Sequence, residues 1–178
     1  MMNKVLCSLL LFLSISCGLQ GRNANYARDS KRIWLDSKEI HHGEYVWKMK
    51  KAGDVISSAE KVSTLGYDTS DWLSAIVPGT VLNSLVYNKE YPEPYYGVNN
   101  KLESGKIPDI SKVGREFYTY WFRTEFDVPE SFAGKTIWLQ PDGVNYRAEI
   151  WVNGNLLSTL NGMFISCLLY TSDAADEL

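Results

Sequence analysis

Cysteine is scarce in this chain: the three residues are Cys7, Cys17 and Cys167, and none lies between Arg22 and Ser166. That excludes a disulfide framework, a thiol nucleophile and a cysteine-held metal from the stretch between them. Positive charge is also short, with 18 Lys and Arg against 21 Asp and Glu and a net charge of −3. No basic stripe exists to neutralise phosphates, so nucleic acid is not expected as a partner. Histidine occurs only as the adjacent pair His41 and His42. Neighbours on an extended chain point to opposite faces, and neither has a spaced acidic or cysteine partner, so the pair reads as turn residues and no metal site is expected. The chain has no G-x-S-x-G elbow, phosphate loop or dinucleotide fingerprint, and therefore no implied cofactor. Internal repeats and low-complexity tracts are absent.

Long apolar runs are missing except at the start, where Lys4 is followed by VLCSLLLFLSIS. The run is too short and wrongly flanked for a transmembrane anchor and reads as a secretory signal over residues 1–21. Ser14-Ile15-Ser16-Cys17 also resembles a loose bacterial lipobox, which makes Cys17 a lipidation candidate. Plain secretion and a lipid anchor both fit, and any membrane association would go through that anchor. The expected destination is the periplasm, the extracellular space or the outer membrane of a bacterium.

What is abundant is apolar and aromatic surface, 45% and 13% of the residues, enough for one domain with a core. From Phe117 onward the pattern has period two. Tyr118, Tyr120, Phe122, Thr124, Phe126 and Val128 fall on one face, while Thr119, Trp121, Arg123, Glu125 and Asp127 fall on the other, which is expected to be wet. A second short strand is predicted over Thr136 to Gln140, and a third from Val144 to Val152. Asn153-Gly154 suits a type I′ turn, with a returning strand from Asn155 to about Leu160. Consecutive strands and turns at this spacing indicate an all-β, antiparallel β-sandwich. Upstream, residues 22–44 form a leader and first strand, with Ile33 to Leu35 and Tyr45 to Met49 as strand candidates. Lys51 to Ser70 is expected to wrap the sandwich edge. Thr80 is a plausible N-cap for one short helix carrying Val81, Leu82, Leu85 and Val86. Tyr91 to Gly114 reads as a long ordered loop, a feature that usually has a job.

The run YTYWFRTEF, the segment DGVNYRAEIWVNG and the later GMF, preceded in order by WLSAIVPGTVLNSLV and YPEPYYGVNN, resemble the N-terminal domain of glycoside hydrolase family 2 enzymes. The closest likeness is to the branch of exo-β-D-glucosaminidases and β-mannosidases. The resemblance covers about Tyr45 to Ile165 and implies a jelly-roll, galactose-binding-like sandwich over 45–166, C-terminally incomplete. It further implies a parent enzyme, a retaining exo-glycosidase of β-glucosaminidase, β-mannosidase or β-galactosidase type, whose two catalytic glutamates sit on a separate (β/α)₈ barrel. No residue here is then catalytic, the fragment itself is inactive, and the partners are a β-linked glycan and that barrel. The alternative is a free-standing carbohydrate-binding, lectin-like module.

Within PYYGVNN, Tyr95 and Tyr96 offer flat faces, Gly97 permits close approach, and Asn99 and Asn100 offer paired donors and acceptors. These four are the candidate substrate-binding residues, and an interdomain packing loop is the competing role. Glu125, Asp127 and Glu149 are read as surface or paired carboxylates and not as a glycosidase acid pair. Finally, CLLYTSDAADE at Cys167 to Glu177 resembles a translated sequencing adaptor, so residues 167–178 are taken as a non-native tail.

Overall fold

The computed structural model describes residues 3–12, 33–37, 46–132, 137–141, 143–162 and 169–170. His41, His42 and Cys17 lie outside the described residues, as does most of the tail after Ser166. Among the described residues, eight strands form an all-antiparallel arrangement: β1 (Asn3–Phe12), β2 (Lys48–Lys51), β3 (Leu73–Ser74), β4 (Thr119–Val128), β5 (Trp138–Leu139), β6 (Arg147–Val152), β7 (Asn155–Asn161) and β8 (Leu169–Tyr170). Six of them make one sheet in the order β3-β2-β4-β1-β6-β7, and β5 pairs with β8 in a second.

Sequence pattern and strand pairing agree most closely in the β6–β7 hairpin. Asn153 and Gly154 both take positive φ, 48° and 85°, as the type I′ turn demands. From that turn the register runs back from Val152↔Asn155 to Arg147↔Asn161, with a bulge at Ile150 and Trp151. The face predicted to be apolar is buried along its length. Tyr118, Tyr120 and Phe122 of the β4 region join Trp47 and Met49 in one cluster. Further along the sheet, Ala148 and Ile150 pack with Val144 and Leu160, against Leu139 of β5. Helix α2 (Val81–Tyr87) closes the first cluster with Val81 and Leu85. Its N-cap is Thr80, whose hydroxyl accepts from the Asn83 N–H at 3.0 Å, as the sequence predicts.

The opposite face departs from expectation. Thr119, Trp121 and Arg123, assigned to water, are 6%, 5% and 4% exposed. The segment expected to wrap the edge lies across this face instead: Val62 and Trp72 pack on Trp121 and Trp151, flanked by Ala52, Val55, Ala59 and Tyr67. Two large indoles on a nominally polar face explain the difference, since each carries more apolar area than its polar neighbours can compensate. A covering layer that buries them is favoured.

Two other expectations change. Ile33 to Asp36 form no strand; the stretch is held by the Trp47 indole, which donates to the Leu35 carbonyl at 3.0 Å. One short helix was expected, whereas α1 (Ala59–Val62) and α3 (Ile110–Val113) accompany α2. Each starts at a side-chain cap, Ser58 accepting from Lys61 N–H and Asp109 from Ser111 N–H. The apolar run read as an export signal forms β1, paired with β4 along all ten residues and with β6 along six. A short apolar run is compatible with a strand as well as with an export signal. In the segment read as a non-native tail, Leu169 and Tyr170 pair with Leu139 and Trp138.

Burial leaves a titration signature. Desolvation, with smaller contributions from Tyr91 and Asp54, pushes the Tyr120 hydroxyl up from 10.0 to about 12. Tyr118 is raised as well, by burial first and by Tyr91 second. The folded state therefore keeps its tyrosine protons where the unfolded chain releases them, so this contribution to stability is complete below pH 10 and is lost as pH rises through about 12. Alkaline unfolding followed by circular dichroism is expected in that window, with part of the tyrosinate absorbance appearing only as the fold is lost.

Candidate functional site

The segment from Tyr91 to Lys106 is a chain of tight turns rather than an open loop. The amide of Tyr96 donates to Glu93, that of Asn99 to Tyr96, that of Lys101 to Val98 and that of Ser104 to Lys101, at 2.9 to 3.2 Å. Gly97 takes φ +60°, a conformation that L side chains rarely adopt, so glycine is required at the apex.

Asn99 is the centre of this construction. It is buried, its side-chain amide donates to the Glu93 carbonyl, and its Oδ1 accepts from Lys106 Nζ, both at 2.9 Å. Its own carbonyl accepts from the Ser104 hydroxyl at 3.1 Å. The four sequence candidates thus divide. Asn99 spends its polar atoms inside the loop, while Tyr95, Tyr96 and Asn100 stand outside it, the two rings 89% and 77% exposed. Val98 and Leu102 are exposed as well. The sequence gives no warning of this division, because adjacent asparagines look alike until the turns send one inward.

Replacing Asn99 by alanine removes its bonds to the Glu93 carbonyl, which keeps the Tyr96 N–H, and to the exposed Lys106 ammonium, at a cost of about 1 kcal/mol. The loss should appear as amide-exchange protection disappearing between Glu93 and Lys106. Replacing Asn100 should change stability by no more than about 0.5 kcal/mol.

Two of the three carboxylates on β4 and β6 are paired as expected, whereas Asp127 Oδ1 is buried with no hydrogen-bond partner among the described residues. Glu125 accepts from the Arg123 guanidinium and from the Gly66 N–H at 2.8 Å. Glu149 accepts from the Trp151 indole at 3.1 Å. Both are tied to neighbours on their own strand. Among the described residues, no group of three His, Cys, Asp or Glu could hold a metal ion.

A second concavity lies over the Trp121 face, where the 50–72 segment leaves a cavity of about 540 Å³. Its wall is braced from beneath by Arg123, which donates from Nε to the Val62 carbonyl at 3.0 Å and from a terminal nitrogen to Thr64 at 2.9 Å. Tyr67 meets Trp72 edge-on, with centroids 6.0 Å apart, and its hydroxyl bonds to Ser57. Lys50 and Asp71 form an ion pair at the mouth. The aspartate, by hydrogen bond first and then by its charge, raises the Lys50 ammonium above its ordinary range.

Residues 47–176 match the model of the glycosyl hydrolase 2 galactose-binding domain-like family. A mannosylglycoprotein endo-beta-mannosidase from Lilium longiflorum is 41% identical over 96 residues, covering 54% of this chain and 10% of that protein. An exo-beta-D-glucosaminidase from Amycolatopsis orientalis is 28% identical, over 61% of this chain and 10% of its own length. A beta-mannosidase B from Aspergillus terreus is 31% identical, over 67% and 12%. The chain thus spans about a tenth of the length of the relatives it matches. No solved structure gives a significant match.

Proposed function

The chain belongs to the glycosyl hydrolase 2 galactose-binding domain-like family, and from that premise we propose that it is the non-catalytic N-terminal domain of a retaining exo-glycosidase acting on β-mannosides or β-glucosaminides. The catalytic acid/base and nucleophile belong to a separate barrel domain, and the 178-residue chain alone hydrolyses nothing. Turnover of an aryl β-mannoside or β-glucosaminide by this chain would overturn that part of the reading. Support comes from the way Glu125 and Glu149 are tied to Arg123 and Trp151, and from relatives roughly ten times longer than the matched region.

One observation carries the proposed role within such an enzyme: the turn-built loop that points Tyr95, Tyr96 and Asn100 outward from a buried Asn99. A rigid platform of two rings and an amide is suited to the C–H face and hydroxyls of a sugar at the mouth of the catalytic domain. Asn99 acts there by positioning. In the full-length enzyme, Tyr96→Ala and Asn100→Ala should raise KM severalfold at unchanged thermal stability. A fall in stability with KM unmoved would assign the platform to packing against the barrel instead.

Export is part of the same reading, with Cys17 the residue that a lipid would modify. Mass spectrometry of the N-terminus from the native host tests it. A mature chain starting at Cys17 with an acyl mass supports the anchor, a free start near Gly21 supports secretion, and an intact Met1 overturns both. Either cleavage would remove β1, leaving the slot between β4 and β6 to another strand.

A further inference from the structure

We infer that the cavity over the Trp121 face is a second saccharide site, shaped for one or two β-linked sugar units and separate from the Tyr95 to Asn100 platform. The inference rests on the glycosidase reading for its ligand class and on the cavity itself for its location. The concavity is a depression open to solvent with about 540 Å³ of space, room for one or two sugar units lying partly exposed. It lies with the Trp72, Trp121 and Trp151 cluster on one face of the sheet. Tyr91, which begins the loop carrying the platform, packs on the cluster of the other face.

The lining chemistry narrows the ligand. Lys50, Lys61, Asp54, Asp68 and Asp71 are all among the residues lining the cavity. Such a mixed rim neither concentrates a polyanion nor gathers enough uncompensated carboxylate for a bare cation. It does suit vicinal hydroxyls, each of which donates one hydrogen bond and accepts others. The Lys50–Asp71 pair sets an ammonium donor beside a carboxylate acceptor, an arrangement that grips two adjacent hydroxyls or a hydroxyl and an amine. Ile56, fully exposed, and Leu65, half exposed, supply apolar contacts for the C–H face of a pyranose.

The walls are held before any ligand arrives. Arg123 bonds the Val62 and Thr64 carbonyls, Glu125 holds the Gly66 amide, and Tyr67 is fixed by Ser57 and Trp72. A ligand therefore meets a preorganised site and loses little affinity to ordering of the protein.

The test is an amide-resolved NMR titration of the 178-residue chain with β-1,4-mannobiose and with the β-1,4-linked glucosamine disaccharide. Saturable shifts at Asp54 to Ser57 and Thr64 to Trp72 are expected with at least one of them. Asp71→Asn should weaken that binding at least about fivefold, the consequence of losing a charged hydrogen-bond acceptor. Ile56→Ser should weaken it less, and melting curves for both variants should match the parent because both side chains are exposed. Shifts confined to the Tyr95 to Lys106 loop would overturn this site while leaving the glycosidase reading in place. No shift with either sugar would overturn it as well, with the parent enzyme's kinetics still judging the glycosidase reading separately.

Discussion

Replacing Arg123 by alanine is expected to cost about 3–5 kcal/mol of folding stability, the range for removing one partner of a buried ion pair. The guanidinium is 4% exposed and satisfies three acceptors, the carbonyls of Val62 and Thr64 and the carboxylate of Glu125. Val62 is fully buried, so its carbonyl gains no water without opening of the covering layer. Glu125 retains the Gly66 amide, but that single bond does not offset a partly buried negative charge. Urea unfolding should show the loss directly, and hydrogen exchange should locate it, with protection disappearing first between Val62 and Tyr67. Methionine at 123 preserves most of the packing, so Arg123→Met with Glu125→Gln should be clearly more stable than Arg123→Ala alone. Equal stability of the two would mean that neither the lost volume nor the unpaired Glu125 charge costs anything.

Phe122→Ala should be of similar size for a different reason. Phe122 is 1% exposed, sits opposite Met49 across the β2–β4 ladder and lies in the cluster closed by Val81 and Leu85 of α2. Truncation removes a large apolar surface and leaves a cavity that a sheet face cannot easily collapse into, at a cost of about 3–5 kcal/mol. Phe122→Leu refills part of the volume and should cost substantially less. Ile56→Ser provides the contrast: a fully exposed side chain is expected to change stability by no more than about 0.5 kcal/mol. Thermal melts of these three variants should separate in that order. A Phe122→Ala protein as stable as the parent would place the core elsewhere.

Local chemistry was legible in the sequence where residues act on their near neighbours. Asn153-Gly154 dictates its turn through backbone conformation alone, Thr80 caps the helix that it begins, and strict alternation selects the buried face of β4. What depended on distant partners was not legible. Arg123 on an alternating strand reads as solvent-facing, because the carbonyls it satisfies belong to a segment some sixty residues earlier. Trp121 and Trp151 carried the available warning, since two indoles on a supposedly wet face demand a cover. At the candidate site, Tyr95, Tyr96 and Asn100 are exposed as a binding platform needs, but the inward turn of Asn99 follows from its hydrogen bonds to Glu93 and Lys106. The cavity over the Trp121 face had no motif to announce it, because its lining is gathered from one irregular stretch whose path is set by tertiary contacts.

The β6–β7 hairpin also fixes an order of events in time. Its strands are joined by two residues and can pair within microseconds, whereas β2 must find β4 across more than sixty intervening residues, a search that puts complete folding in the millisecond-to-second range. During that delay the hairpin presents Trp151 to solvent, and the Gly154 amide awaits the Ser63 carbonyl that receives it at 3.2 Å in the finished domain. The turn that forms first thus ends as a latch on the covering layer, so the last region to be shielded is also the one that aggregation would capture if folding stalled.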